Sequence, residues 1–285
     1  MIKTILVFND HSSEAEHAAE LALGIAQKMN ANLLLATIAK VKEGKRITAQ
    51  EPVLVAGKQK AEPVTYSFQI TLQEHLQQIV NKDKREGFKP AIKSLDLSDH
   101  AEIDLAALVI KNEIWMMVKG TSANQQANNF RSRINVQSVL NRVMCPLLLV
   151  PEQFELKDFE HIVYTADLRY SRLHVTKYLA EIAEAYGADM MLAHLSAKGI
   201  PHMEENYAHR FFDTEINNRV KYPKLWFNNI CERNLTTAVD VLVNGMHTDM
   251  LAMVNHRFHF EQILGRYINN ALPAHIAIPV MVFPY

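Results

Sequence analysis

The chain begins twice. Ile5-Leu6-Val7-Phe8-Asn9-Asp10 returns as Ile162-Val163-Tyr164-Thr165-Ala166-Asp167. Ala31-Asn32-Leu33-Leu34-Leu35-Ala36 returns as Ala188-Asp189-Met190-Met191-Leu192-Ala193. Both pairs are offset by 157 residues, so the spacing inside each copy is kept. The copies also close alike, with Cys145-Pro146-Leu147-Leu148-Leu149-Val150-Pro151 and Ile278-Pro279-Val280-Met281-Val282-Phe283-Pro284. An internal repeat constrains the fold before any single side chain does: what one half builds, the other builds again. The expected division is 1–153 and 154–285.

Each half alternates short apolar runs with helix-period segments. In the first half the expected strands are 2–8, 32–38, 91–97, 115–119 and 146–150. They are rich in Val, Ile, Leu and Met without strict alternation, as strands covered on both faces are. Between the first two, Ala15, Ala18, Ala19, Ala22, Leu23 and Ala26 fall at helical spacing, with Ser12 or Ser13 as N-cap. Further helices are expected over 68–82, near 101–112 and near 134–143. In the second half the expected strands are 160–165, 188–194, 237–243, 250–254 and 279–283. The helices are 171–186, 209–233, a short piece at 244–248, and 260–272. The offset between halves falls to 134 at Met116/Met250, so the second half spends 23 fewer residues there. The surplus of the first half falls at 40–64, a Lys/Glu/Gln/Ala-rich stretch read as an exposed loop.

Strand–helix alternation with buried strands implies right-handed crossovers and parallel sheets. The expected fold class is α/β, with two tandem doubly wound parallel five-stranded sheet domains. Ligands in such sheets bind beyond the carboxyl ends of the strands, where the strand order reverses. That directs attention to the loops beginning near Asp10, Gly120, Asp167 and Val254.

Composition narrows the partners. Apolar residues make up 48% of the 285, enough for a core in each half, and the formal charge is −1. That balance offers no attraction to nucleic acid or an anionic membrane. No stretch approaches the ~20 apolar residues of a membrane span, and the N-terminal apolar run is too short for a signal peptide. The two cysteines, Cys145 and Cys231, form no spacing motif. A cytoplasmic protein with reduced thiols is expected.

A tandem α/β repeat with an Asp ending the first strand, Gly120-Thr121 after the fourth, and a closing Cys-Pro-Leu-Leu-Leu-Val-Pro resembles the universal stress protein family. It resembles the form with two such domains in one chain, with the adenine nucleotide alpha hydrolase-like fold. The resemblance implies a stress-response binding or signalling module, acting through a protein partner. It also implies that strands 146–150 and 279–283 join the halves as an internal pseudo-dimer, with further homodimerisation left open. One kind of family member binds ATP, using the strand-1 Asp near adenine and a Gly-x2-Gly-x9-Gly-Ser/Thr pattern after strand 4. Glycines there let the backbone approach phosphate, and helix-start N–H groups hold the charge. The other kind lacks the pattern.

This sequence departs from it in both halves. Gly120-Thr121 matches the opening, but the second glycine position is Ala123 and the Gly-Ser position is Arg133-Ile134. In the second half the opening glycine is Val254. Across the chain no two of the nine glycines lie within ten residues of each other, which excludes a P-loop and a dinucleotide fingerprint as well. A nucleotide held by side chains remains the alternative: ATP or AMP in the first half, with candidate contacts Asp10, Gly120, Thr121, Arg133 and Ser138.

Each sharp reading has a plainer counterpart. Asp10 and Asp167 would serve as well to cap the following helix. Arg131 and Arg133 would serve as solvated charges. Nine of thirteen histidines fall in the second half, and His247, Asp249, His256 and His259 cluster in sequence, but no metal-ligand spacing is met and no metal is expected. His202 and His209 stand in a loop. Cys145 reads as structural, and Met116-Met117 and Met190-Met191 as core. No nucleophile–base pair stands at a loop position, so no enzymatic activity and no obligatory cofactor are expected. A small hydrolase or transferase is the weakest alternative.

Overall fold

The computed structural model describes residues 2–38, 70–84, 87–97, 104–122, 136–196, 201–232, 234–256, 259–265 and 272–285. Ten strands form one sheet in the order β3-β2-β1-β4-β5-β10-β9-β6-β7-β8. The first five are Lys3–Asn9, Ala31–Thr37, Ile92–Asp96, Ile114–Thr121 and Leu147–Pro151. The second five are His161–Ala166, Asp189–Leu195, Leu225–Ile230, Met250–Val254 and Val280–Phe283. Each half is a parallel five-stranded sheet with the strand order reversing between its first and fourth strands.

Register repeats with the sequence. Thr4 pairs with Asn32 in one half and His161 with Asp189 in the other, offset by the same 157. Ile5 pairs with Met116 and Ile162 with Met250, which carries the shorter offset of 134 into the hydrogen-bonding pattern. The halves meet where β5 and β10 pair antiparallel, with Leu148 opposite Met281. This is the expected internal joint, and it hides two strand edges that would otherwise be open to other chains.

Helix α1, Ser13–Met29, follows β1 and ends at Asn30 in the left-handed conformation. Helix α5, Leu173–Tyr186, follows β6 and ends at Gly187, again left-handed. Asn30 and Gly187 are repeat partners, so the C-cap was duplicated with the helix. Helices α1 and α5 cover one face of the sheet across the joint. There Trp115 stacks on Tyr178 at 4.7 Å and the Tyr178 hydroxyl donates to the Trp115 carbonyl at 3.1 Å. Helix α2, Leu72–Lys82, carries a full capping box between Thr71 and Glu74. Helices α3, Leu105–Lys111, and α4, Val136–Arg142, cover the opposite face.

The second half departs from expectation at its third strand. Residues 237–243 are not a strand: helix α8 spans Leu235–Asp240, capped by Asn234, and widens into a π-turn over Val241–Gly245. Buried Leu235, Ala238, Val239, Leu242 and Val243 follow a helical period despite the run of β-branched residues. The π-turn also takes the place of the separate piece expected at 244–248. The third strand is β8, Leu225–Ile230, inside what was read as a helix over 209–233. As an edge strand with Asn228 and Asn229 partly exposed, it carries no apolar run to announce it. The helix before it runs α6, Glu205–Phe211, through a π-turn to α7, Asn218–Val220, and stops at left-handed Lys221 ahead of Pro223. Helix α9 is His259–Leu264. The 40–64 stretch lies outside the described residues. Among the described residues no helix is long and apolar enough to cross a membrane.

Candidate functional site

The carboxyl ends of β1 and β4 bring together the first-half candidates. Asp10 follows β1, and its Oδ1 accepts the Ser12 N–H at 3.2 Å and the Ser12 hydroxyl at 2.5 Å. Ser12 in turn caps α1, its Oγ accepting the Ala15 N–H at 3.2 Å. Asp10 therefore orders the helix cap at one remove.

Gly120 ends beside the first turn of α1. A Cβ there would lie 2.1 Å from the Glu14 carbonyl oxygen and 2.4 Å from its carbon. The glycine is demanded by helix–strand packing, whatever else it does. Its repeat partner Val254 meets no such limit, because α5 starts three residues later in its half than α1 does. Lys119 and Thr121 turn to the other face. The Thr121 side chain is buried, and its hydroxyl meets no partner among the described residues. Lys119 is also buried: burial holds its ammonium below the ordinary lysine value, with the Asp10 and Glu14 carboxylates pulling it back up. Sequence reasoning missed Lys119, although a lysine in the apolar run Trp-Met-Met-Val-Lys-Gly is the signal that would have found it. Ser138 lies exposed on α4. Arg131 and Arg133 lie outside the described residues, as do Ala123 to Asn129.

In the second half the corresponding space is filled. The Asp167 carboxylate, 1% exposed, is gripped by Arg169, with Nε 2.7 Å from Oδ1 and a terminal guanidinium nitrogen 2.6 Å from Oδ2. The same guanidinium donates to the Pro201 carbonyl and to Ser196 Oγ. His194 stands beside them, fully buried, with Nδ1 accepting the Leu168 N–H at 3.1 Å and Nε2 3.4 Å from Ser196 Oγ.

Asp, His and Ser side by side invite a catalytic reading, but the hydrogen bonds oppose it. A base must present an unprotonated Nε2 to the serine. Here Nδ1 is spent on the backbone, 3.1 Å from the Leu168 nitrogen and 3.3 Å from the Ala166 carbonyl oxygen, rather than on a carboxylate that would orient the ring. Asp167 Oδ1 is 4.0 Å from Nδ1, and Arg169 already holds the serine oxygen. Neither Arg169 nor His194 was singled out from the sequence.

The second-half histidine cluster separates in space. Asp249 lies at the start of β9 and His256 beyond its end. Asp249 accepts the Glu160 and His161 N–H groups at 2.8 and 2.9 Å and pairs with Lys157 at 2.5 Å. His256 stacks on Tyr170 and meets the Tyr285 ring at a tilt of 60°. Burial lowers its imidazolium tendency, against the pull of Asp167. Among the described residues no three His, Cys, Asp or Glu groups are placed to share a metal ion.

Comparison with known proteins agrees with this geometry. The family model described as "Universal stress protein family" matches residues 1–151. A solved universal stress protein from Archaeoglobus fulgidus superposes with a TM-score of 0.58 over 98% of this chain and 97% of its own, at 10% identity. Two Pseudomonas aeruginosa proteins superpose over 99% of this chain and 93% and 92% of theirs, with TM-scores of 0.53 and 0.51, each at 13% identity. Among curated proteins, none matches this chain in sequence.

Proposed function

This chain belongs to the universal stress protein family, and from that premise we propose that it is a non-enzymatic, two-domain binding module of the stress response, 1–153 and 154–285, without the family's glycine-rich ATP loop. It works in the cytoplasm through a protein partner. The observation that carries the reading is Arg169 on Asp167: the second-half aspartate is already neutralised by a guanidinium. The lost glycines and the packing role of Gly120 support it from the other half. At Asp167, His194 and Ser196 the carboxylate is held by Arg169 and does not orient the histidine, which supports a binding rather than a catalytic role.

A second reading has a specific observation behind it. Buried Lys119 stands beside Asp10, and the Thr121 hydroxyl meets no partner among the described residues; side chains there would hold an adenine nucleotide that the glycines no longer cradle. ATP or AMP would then bind the first half only, near Asp10, Gly120 and Thr121, with Arg133 and Ser138 as further contacts.

One experiment separates the readings. The protein is titrated with ATP and with AMP, with and without magnesium, while its melting temperature is followed. A ligand at one hundred times its Kd adds about 2.7 kcal/mol of stability. The first reading expects no saturable shift and no ATP turnover. A saturable shift that vanishes in Asp10→Ala establishes the second. Asp10→Ala also loosens the Ser12 cap, so the ligand-induced shift is compared, not the starting temperature.

A further inference from the structure

The two outer strands of the sheet are repeat partners with different chemistry. Strand β3 ends the sheet on one side and β8 on the other. Lys93 pairs with Leu34 and Asp96 with Thr37, while Trp226 pairs with Met191 and Asn229 with His194. Leu34 and Met191, like Thr37 and His194, differ by the 157 residues of the repeat. Trp226 therefore stands where β3 carries Lys93, and Asn229 where β3 carries Asp96. Both charges of one edge strand are neutral side chains on the other.

That exchange matters because an unpaired strand edge is a template for another strand. Proteins guard such edges with charges, lysine above all, with proline or with bulges. Strand β8, Leu-Trp-Phe-Asn-Asn-Ile, has no charge and no proline, and its register on β7 runs unbroken. Among the described residues no strand pairs with its outer side. The Met190 N–H donates to the Lys224 carbonyl at 3.0 Å. In a parallel ladder that turns the backbone groups of Trp226 and Asn228 toward β7 and those of Leu225, Phe227 and Asn229 outward. The Leu225 N–H is spent on the Tyr222 carbonyl. Phe227 is held in place: its ring stacks on Phe212 at 5.0 Å and meets His209 edge-on at 4.9 Å. Trp226 is 44% exposed, and Tyr207, on the helix α6 that packs against β8, is 51% exposed. Aromatic rings of this kind are enriched at protein interfaces.

The occupant that fits this edge is the same edge of a second copy. Turned about a two-fold axis at Phe227, β8 runs antiparallel to itself. The two Phe227 residues exchange both backbone hydrogen bonds, and each Asn229 N–H reaches the Leu225 carbonyl of the second copy. Each Trp226 lies across from Asn228 of the second copy, in the closer kind of antiparallel pair. No opposed pair within the strand sets like charges together. The chain already joins its own halves by antiparallel pairing of β5 with β10, so β8 on β8 continues the sheet by the same kind of joint. We propose that this protein forms a two-fold dimer through β8. The pairing is self-complementary, so it closes at two copies and does not grow into a filament. Six strand residues and two rings make a contact smaller than the roughly 1,600 Å² of a standard interface, so the dimer is reversible, with a Kd of about 10 to 100 μM.

Sedimentation velocity on the full chain, from about 2 to 500 μM, tests this. The wild type passes from monomer to dimer across that range, with or without ATP, so the result stands apart from either reading of the nucleotide site. Trp226→Lys, which restores the residue that guards β3, raises the Kd at least about tenfold. Its circular dichroism and urea midpoint stay near wild type, because the ring is half exposed. Asn228→Lys, across from Trp226 of the second copy, weakens the dimer as much from the other position. The place of contact is read by spin-labelling the exposed thiol of Cys231 and measuring the dipolar distance between copies. Cys231 is four residues from the axis at Phe227, which at about 3.4 Å per residue sets the two labelled positions roughly 27 Å apart. A measured distance below about 40 Å, allowing for the label arms, supports the proposal. A monomer throughout the range, a dimer undiminished in either lysine variant, or a longer label distance overturns it.

Discussion

Asp10 and Asp167 make the same turn with different partners. Each accepts, through Oδ1, the N–H of the residue two positions on: Ser12 at 3.2 Å and Arg169 at 3.0 Å. Ser12 and Arg169 are themselves repeat partners. In the first half the side chain that returns to the carboxylate is a hydroxyl that also caps α1; in the second it is a guanidinium. One substitution inside a duplicated turn thus separates an open aspartate from a neutralised one.

Arg169→Ala leaves the Asp167 carboxylate buried without its counter-ion. Breaking one side of a buried pair costs roughly 2 to 4 kcal/mol, the lower part of the range applying because the arginine is partly exposed. Urea denaturation of the variant checks this. A loss below about 0.5 kcal/mol would show that the pair is not structural.

Gly120→Ala and Gly24→Ala move stability in opposite directions. At Gly120 the new methyl meets the Glu14 backbone, and about 3 kcal/mol is lost. At Gly24, inside α1, a Cβ has nothing within 4 Å, so the usual helix preference for alanine adds about 0.5 to 1 kcal/mol. Parallel thermal melts decide both. A harmless Gly120→Ala would return the glycine to a ligand role.

Asp249 makes stability depend on acid. Burial pushes its carboxyl up, but the Lys157 ammonium and the Glu160 and His161 N–H groups outweigh that and hold it below the ordinary aspartate value of 3.8. A depressed carboxylate contributes stability above its unfolded pKa and loses it as pH falls through the folded one. The wild type therefore loses stability below pH 3.8 more steeply than Asp249→Asn, which starts less stable. Equal slopes in urea melts across that range would contradict the assignment.

The two thiols differ in reactivity. Burial pushes Cys145 up to about 12, whereas Cys231 is exposed. At pH 8 a disulfide reagent modifies one thiol per folded chain quickly, and the second only on unfolding. Fast modification of both would mean that the start of β5 opens readily.

Much of this protein was legible from its residues. The repeat, the strand–helix alternation and the closing β5 and β10 runs all rest on local patterns of apolar side chains, which the two buried faces of a parallel sheet require. Asp10, Gly120 and Thr121 were expected at the carboxyl ends of their strands, and that is where they stand. The misreadings have a shared cause. Ala238 to Val243 is β-branched enough for a strand, yet its buried positions fall every three or four residues. Strand β8 is half exposed at a sheet edge and has no apolar signature. In both places the tertiary setting overrode local preference: burial of one face for the helix, pairing at the sheet edge for the strand.

By itself the sequence determined the class and the duplication, because periodicity and repeat spacing are properties of neighbouring residues. Only the tertiary structure decided which polar groups meet. Arg169 closing on Asp167, Glu14 crowding Gly120, and Lys119 buried beside Asp10 are contacts set by side-chain direction and helix placement. No spacing along the chain encodes those distances, since they depend on how the folded elements pack.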